Sequence, residues 1–143
     1  DADDEAYTTK VERMVEKMFA FTEPIGIVYA DYDIVNDENV KTREYKEPFS
    51  RERLYHECII HSGSLVNKDA LLAVKNENGY YDETFRVCED YQLWTRITAR
   101  YMAAHIAESL SLVRVHSNNS TSTVPNHVWQ DSWRRVRETF NHG

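Results

Sequence analysis

Cysteine is scarce in this chain, with Cys58 and Cys88 the only two among 143 residues. No Cys-x-x-Cys pair or Cys/His cluster accompanies them, which excludes a disulfide scaffold and a zinc site of the usual spacing. A reducing, cytoplasmic setting is the expectation, any contact with the inner face of a membrane being made through other parts of a longer protein. Positive charge is also short: 17 Lys and Arg stand against 24 Asp and Glu, a formal net charge of −7. A nucleic-acid surface needs clustered Lys and Arg to replace counterions along the phosphates, so nucleic acid is not an expected partner. No apolar run approaches the roughly 20 residues that cross a bilayer. No signal peptide opens the chain, and repeats and low-complexity tracts are missing. None of these absences excludes a phosphorylated small molecule. A divalent cation can bring the positive charge the chain lacks, and acidic residues are what hold such a cation.

What is present suits one soluble globular domain over residues 1–143, with 41% hydrophobic and 29% charged residues. The abrupt, highly charged opening DADDE is expected to be a boundary inside a larger protein. Val11, Met14, Val15, Met18 and Phe19 recur at three-and-four spacing, predicting a helix from Ala6 to Phe21 with those residues on its buried face. Pro24 ends it. The run IGIVYA, Ile25 to Ala30, predicts a buried strand continuing to Val35, with Val40 to Tyr45 as its hairpin return. A short helix capped by Ser50 follows, then extended pieces at Cys58 to Ile60 and Ser64 to Val66. One helix is predicted from Asn67 or Lys68 to a stop near Gly79, and a second from Asp90 to Tyr101. Two strands follow, Ala103 to Ala107 and Leu110 to Val115. A polar loop then leads to an amphipathic helix over 127–143, in which Trp129, Trp133, Val136 and Phe140 repeat at helical spacing and read as core packing. The class is mixed α/β, without the regular βαβ alternation of a complete doubly wound domain.

Four groups of residues could carry chemistry. Asp1, Asp3 and Asp4 crowd three carboxylates into the opening, a repulsion that a divalent cation relieves and that the positive end of a helix dipole also tolerates. Asp1, Asp3, Glu5, Tyr7, Thr9 and Glu12 also fall at the ligand positions of an EF-hand loop, although Ala6 replaces the turn glycine. Asp31 and Asp33, with Asp37 and Glu38, read as hairpin-turn residues. Glu89 and Asp90 stand where a helix begins, either as dipole-favoured acids or as a general base at a cleft edge. His116 after the last strand and His61 before Gly63 have the same two readings, structural or ligand-facing.

The order of these segments is more specific than any one of them. DADD and its helix are followed by IGIVYADYDIVND, REYKEPFSRERL, HSGSLVNKDAL, GYYDETFRVCEDYQLWTRI and LVRVHSNNST. The succession resembles the second half of family 2 glycosyltransferases, from Asp1 to about Thr121, and GYYDETFRVCEDYQLW carries most of the likeness. The resemblance implies a partial GT-A fold, a mixed sheet flanked by helices, that lacks its N-terminal nucleotide-binding half. It implies an inverting, metal-dependent transfer of a sugar from a nucleotide-diphosphate donor to an acceptor hydroxyl. In that scheme Asp1 and Asp3 form the DXD motif, with Asp4 beside them. They hold Mg²⁺ or Mn²⁺ together with His116, and Asp1 also meets the diphosphate. His61 and Gly63 line the donor sugar, and Trp94 in the aromatic-rich helix meets substrate. Glu89 and Asp90 become the xED pair, with Asp90 the catalytic base. The chain departs from the family in three places. About 90–100 residues before the DXD motif are missing, the segment from Lys75 to Asn78 is longer and more polar, and Ser62 stands where many relatives have proline. The missing half also admits a non-catalytic module of this fold that binds a glycan or a protein.

Overall fold

The computed structural model describes residues 4–61, 63–77, 79–115 and 124–142, with the backbone alone for 141 and 142. Its elements are β1 (Glu5–Ala6), α1 (Lys10–Met18), β2 (Ile25–Val35), β3 (Lys41–Glu44), α2 (Arg51–His56), β4 (Leu65–Val66), α3 (Lys68–Val74), α4 (Glu89–Thr98), β5 (Met102–Arg114) and α5 (Asn126–His142). The strands form one open mixed sheet in the order β1-β5-β2-β3, with β4 pairing β2 on the β3 side. β2 and β5 run parallel at its centre, and the other pairings are antiparallel.

β2 is buried along almost its whole length. A parallel strand covered on both faces needs apolar residues without polar alternation, and IGIVYA supplies them. The pleat then sends neighbours to opposite faces. Ile27 and Tyr29 join Leu54, Tyr91, Trp94, Ile97 and Val136 in one core cluster, while Val28 and Ala30 join Met14, Met18, Ile106 and Leu110 in the other. Gly26 is the close-approach point on this strand. A Cβ there would lie 2.7 Å from Tyr101 Cβ and 2.9 Å from Ile97 Cγ2, so only glycine lets β2 meet the end of α4.

Several boundaries differ from expectation, each for a local reason. Residues Glu5–Ala6 pair with β5, so α1 starts at Lys10, and it ends at Met18. Only Met14 and Met18 on α1 reach the sheet, whereas Val11, Val15 and Phe19 are 64%, 39% and 72% exposed. The predicted apolar face was thus too wide. The two strands expected after α4 are one strand, β5, interrupted by a bulge: Ala30 pairs with Ile106 and Asp31 with Ser109, leaving Ala107 and Glu108 between them without partners in β2. Helix α3 stops at Val74, and Asn76 and Gly79 close a turn beyond it. Cys58 to Ile60 form no strand, although Ile59 and Ile60 are buried. In α5, Val136 is fully buried and Trp129 and Phe140 pack partly against the core, but Trp133 is 43% exposed. Ser50 caps α2 as expected, its Oγ accepting the Arg53 amide at 3.3 Å.

The observed architecture is therefore mixed α/β, an open mixed sheet flanked by helices. Among the described residues, no helix is long and apolar enough to cross a membrane.

Candidate functional site

Asp1, Asp3 and His116 lie outside the described residues. The segments next to them do meet. β1 pairs Glu5 with Leu112 and Ala6 with Ser111, and the Asp4 carboxylate accepts the Arg114 backbone N–H at 3.4 Å. Asp4 and Glu5 are thereby set against the C-terminal end of β5. Glu5 reaches outward to Arg114 at 2.8 Å.

Beside Asp4 is a cavity of about 220 Å³, lined among others by Lys10, His61, Gly63 and Ser111. The His61 ring stacks on Tyr32, with centroids 4.2 Å apart and planes at 29°. Its Nδ1 accepts the Gly63 N–H at 3.1 Å, which leaves the imidazole proton on Nε2. Burial, reinforced by the Lys10 and Lys46 charges, lowers its pKa to about 4, so the ring is neutral at pH 7. Burial also lowers the Lys10 ammonium from its ordinary value, against the attraction of Asp4. Gly63 is a second close-approach point: a Cβ there would fall 3.0 Å from His61 Nδ1 and 3.1 Å from Lys10 Nζ, so these side-chain ends would have to give slightly.

Glu89 and Asp90 open α4 after Cys88, a buried non-glycine residue at φ 66°. Such a backbone costs about 1–3 kcal/mol, and strain of this kind clusters at functional sites. Glu89 is exposed and Asp90 half-buried, with Asp90 Oδ1 accepting the Tyr91 N–H at 2.8 Å. Burial and then the Asp90 charge push the Cys58 thiol up to about 12 and the Cys88 thiol up to about 11, so neither is a nucleophile at neutral pH. Lys46 Nζ lies 5.5 Å from the centre of the Tyr32 ring on which His61 stacks. Trp94 is elsewhere: it is 3% exposed inside the core and does not line the cavity.

Asp31 and Asp33 are not turn residues. The turn lies further on, where Asn36 Oδ1 accepts the Glu38 and Val40 amides and Asn39 takes φ 60°. Asp31 is 2% exposed within β2 and accepts three bonds of 2.8 Å, from Arg43 Nη2, His105 Nε2 and the Lys46 backbone N–H. Burial alone would raise its carboxyl; the Arg43, His105 and Lys46 bonds outweigh burial and hold it below the ordinary carboxylate range. Asp33 similarly accepts the Tyr7 hydroxyl at 2.6 Å and lies 3.4 Å from Lys41 Nζ. The first of these networks anchors the backbone of Lys46. The signal available in the sequence was a pair of acids inside an apolar strand, followed by Arg43 and Lys46.

Of the positions in the EF-hand alternative, Asp1 and Asp3 lie outside the described residues. Glu5 pairs with Arg114, the Tyr7 hydroxyl bonds Asp33, and Glu12 is exposed on α1. Among the described residues, no group of three or more His, Cys, Asp or Glu is placed to hold a metal ion. No family model matches this chain, and no curated protein matches it.

Proposed function

We propose that this chain is the metal- and base-bearing side of an inverting glycosyltransferase with a GT-A-type fold, using a nucleotide-diphosphate sugar. The observation that carries the reading is the cavity lined by Asp4, Lys10, His61 and Gly63. The motif order in the sequence supports it as well. In such a reaction an acceptor hydroxyl attacks the anomeric carbon while the nucleoside diphosphate leaves. Asp90 takes the hydroxyl proton, which a half-exposed carboxylate at a helix start can reach from solvent. His61, neutral at pH 7, donates through Nε2 to donor oxygens, and Gly63 lets the donor approach the backbone. Carboxylates are the ligands a hard cation takes; Asp4 lines the cavity, and Asp1 and Asp3 precede it in the sequence. A Mg²⁺ or Mn²⁺ held by Asp1 and Asp3, with His116, would neutralise charge on the departing diphosphate.

The test is Asp90→Asn. It is expected to lower transfer by three orders of magnitude or more, roughly the upper range for loss of a general base, while nucleoside diphosphate binding stays within about twofold. Near-normal turnover by this variant would remove the base assignment.

A second reading is favoured by one feature. Val11, Val15 and Phe19 lie one turn apart on the outer face of α1 and are exposed, as a protein-binding module would leave them. An Asp90→Asn variant with unchanged partner capture, in a chain without transferase activity on any nucleotide sugar, would favour this module.

A further inference from the structure

The outer edge of β5 is paired over only part of its length. β1 meets it at Ser111 and Leu112, and the Tyr7 amide donates to the Leu110 carbonyl. From Met102 to Ser109 no strand pairs this edge among the described residues. Two open cavities lie end to end along it. One, of about 350 Å³, is lined by Met102 to His105, the other, of about 480 Å³, by His105 to Glu108, and Lys17 of α1 borders both. The edge is thus reachable from outside. Proteins commonly blunt such an edge with lysine, proline or a bulge. The six residues Met102 to Ala107 hold no Lys, Arg, Asp, Glu or Pro, the bulge comes only at their end, and Met102 is 50% exposed. Unpaired backbone N–H and C=O groups along a strand of small residues match another extended backbone.

The charges beside the edge select which backbone. On the flank of α1, Glu16 and Glu108 share the Arg13 guanidinium, at 3.7 and 2.5 Å. Lys17 makes no ion pair among the described residues and lies 5.5 Å from the centre of the Phe21 ring. A surplus carboxylate and a surplus ammonium are therefore neighbours, at the level of His105 where the two cavities meet. We infer that Met102 to Ala107 pairs antiparallel with the same segment of a second copy, about a two-fold axis near His105. The axis stands perpendicular to the sheet, so both α1 helices lie on one face and run antiparallel. Glu16 of each copy then stands opposite Lys17 of the other. Such an interface is isologous and closes at two chains, and antiparallel edges meet without a crossover. The pairing involves neither Asp90 nor a nucleotide sugar.

The test combines gel filtration with light scattering and amide hydrogen exchange, both on the full chain over a range of concentrations. The wild-type chain is expected to pass from monomer to dimer, and the amides of Ala103 to Ala107 to exchange severalfold more slowly as it does. Met102→Lys places a charge on the edge and is expected to raise the dissociation constant about tenfold or more. Lys17→Glu and Glu16→Lys each set like charges opposite one another and are expected to weaken self-association severalfold. Mixed together, these two variants regain opposite charges at both contacts and are expected to associate as the wild type does. Folding of every variant is checked by thermal melting. A chain that stays monomeric overturns the pairing and leaves the edge to a strand of other origin. A dimer in which the amides of Ala103 to Ala107 exchange as fast as in the monomer overturns it too. So does a mixture of Lys17→Glu and Glu16→Lys that associates no better than either variant alone.

Discussion

Asp31 shows how much a single residue can decide. Its carboxylate is buried in β2 and tied to Arg43, His105 and the Lys46 amide. Removing one partner from a buried charge network leaves the others uncompensated, so Asp31→Ala is expected to lower stability by about 3 kcal/mol, read from urea melts at pH 7. The pH dependence has a definite sign. The folded carboxyl lies below its unfolded value of about 3.9, so its contribution is full above that pH and is lost as pH falls through the folded pKa. Asp31→Asn is expected to flatten that acid limb of the stability profile, and an unchanged limb would show that the network is not maintained. The sequence gives little warning of this hub. Asp is common in turns, and the partners Arg43 and His105 lie 12 and 74 residues away, a pairing that only the sheet creates. His61 and Gly63 were legible as a close pair, but Lys10 beside them was not, because nothing in the local pattern brings α1 to that loop.

Among the elements, β2 was the most legible, since an unbroken apolar run has few other uses. Its limits at Ile25 and Val35 match the reading of the sequence. The requirement at Gly26 was invisible there, because it comes from α4 crossing the strand. Gly26→Ala is expected to cost about 2–3 kcal/mol, at the upper end of ordinary overpacking, because the clash is with Tyr101 Cβ and not with a flexible side-chain end. A thermal melt within a degree of wild type would contradict that crossing. Helix α1 was legible as a helix but not in its orientation. Five apolar residues at helical spacing leave several faces possible, and packing against β2 and β5 selects Met14 and Met18. Met14→Ala is expected to cost about 2–4 kcal/mol, and Val11→Ala less than about 0.5 kcal/mol. Equal effects in denaturant melts would mean that the helix is rotated. The bulge at Ala107 and Glu108 explains why β5 read as two strands: the polar Glu108-Ser109 step interrupts an apolar pattern without ending the backbone ladder.

At the scale of the whole molecule, the mixed α/β class was legible from element order alone. The parallel pairing of β2 with β5, strands separated by three helices, was not. That pairing, with β1 on the outer edge of β5, sets Asp4 beside Arg114 and opens the cavity toward Lys10 and His61. Motif order pointed to Asp90 and Gly63 as expected site residues, while the meeting of Asp4, Lys10 and His61 around one cavity arises from folding. The proposed function depends on one geometric idea, that a metal diphosphate occupies this cavity. Paramagnetic broadening by Mn²⁺ tests it most directly, with substoichiometric ion added to the isotope-labelled chain in the presence of a nucleoside diphosphate. The account predicts that the amide signals of Asp4, Lys10, Gly63 and Ser111 broaden first, while Val136 in α5 stays sharp. Broadening that leaves those four signals untouched, or that appears first at carboxylates elsewhere on the surface, would contradict it.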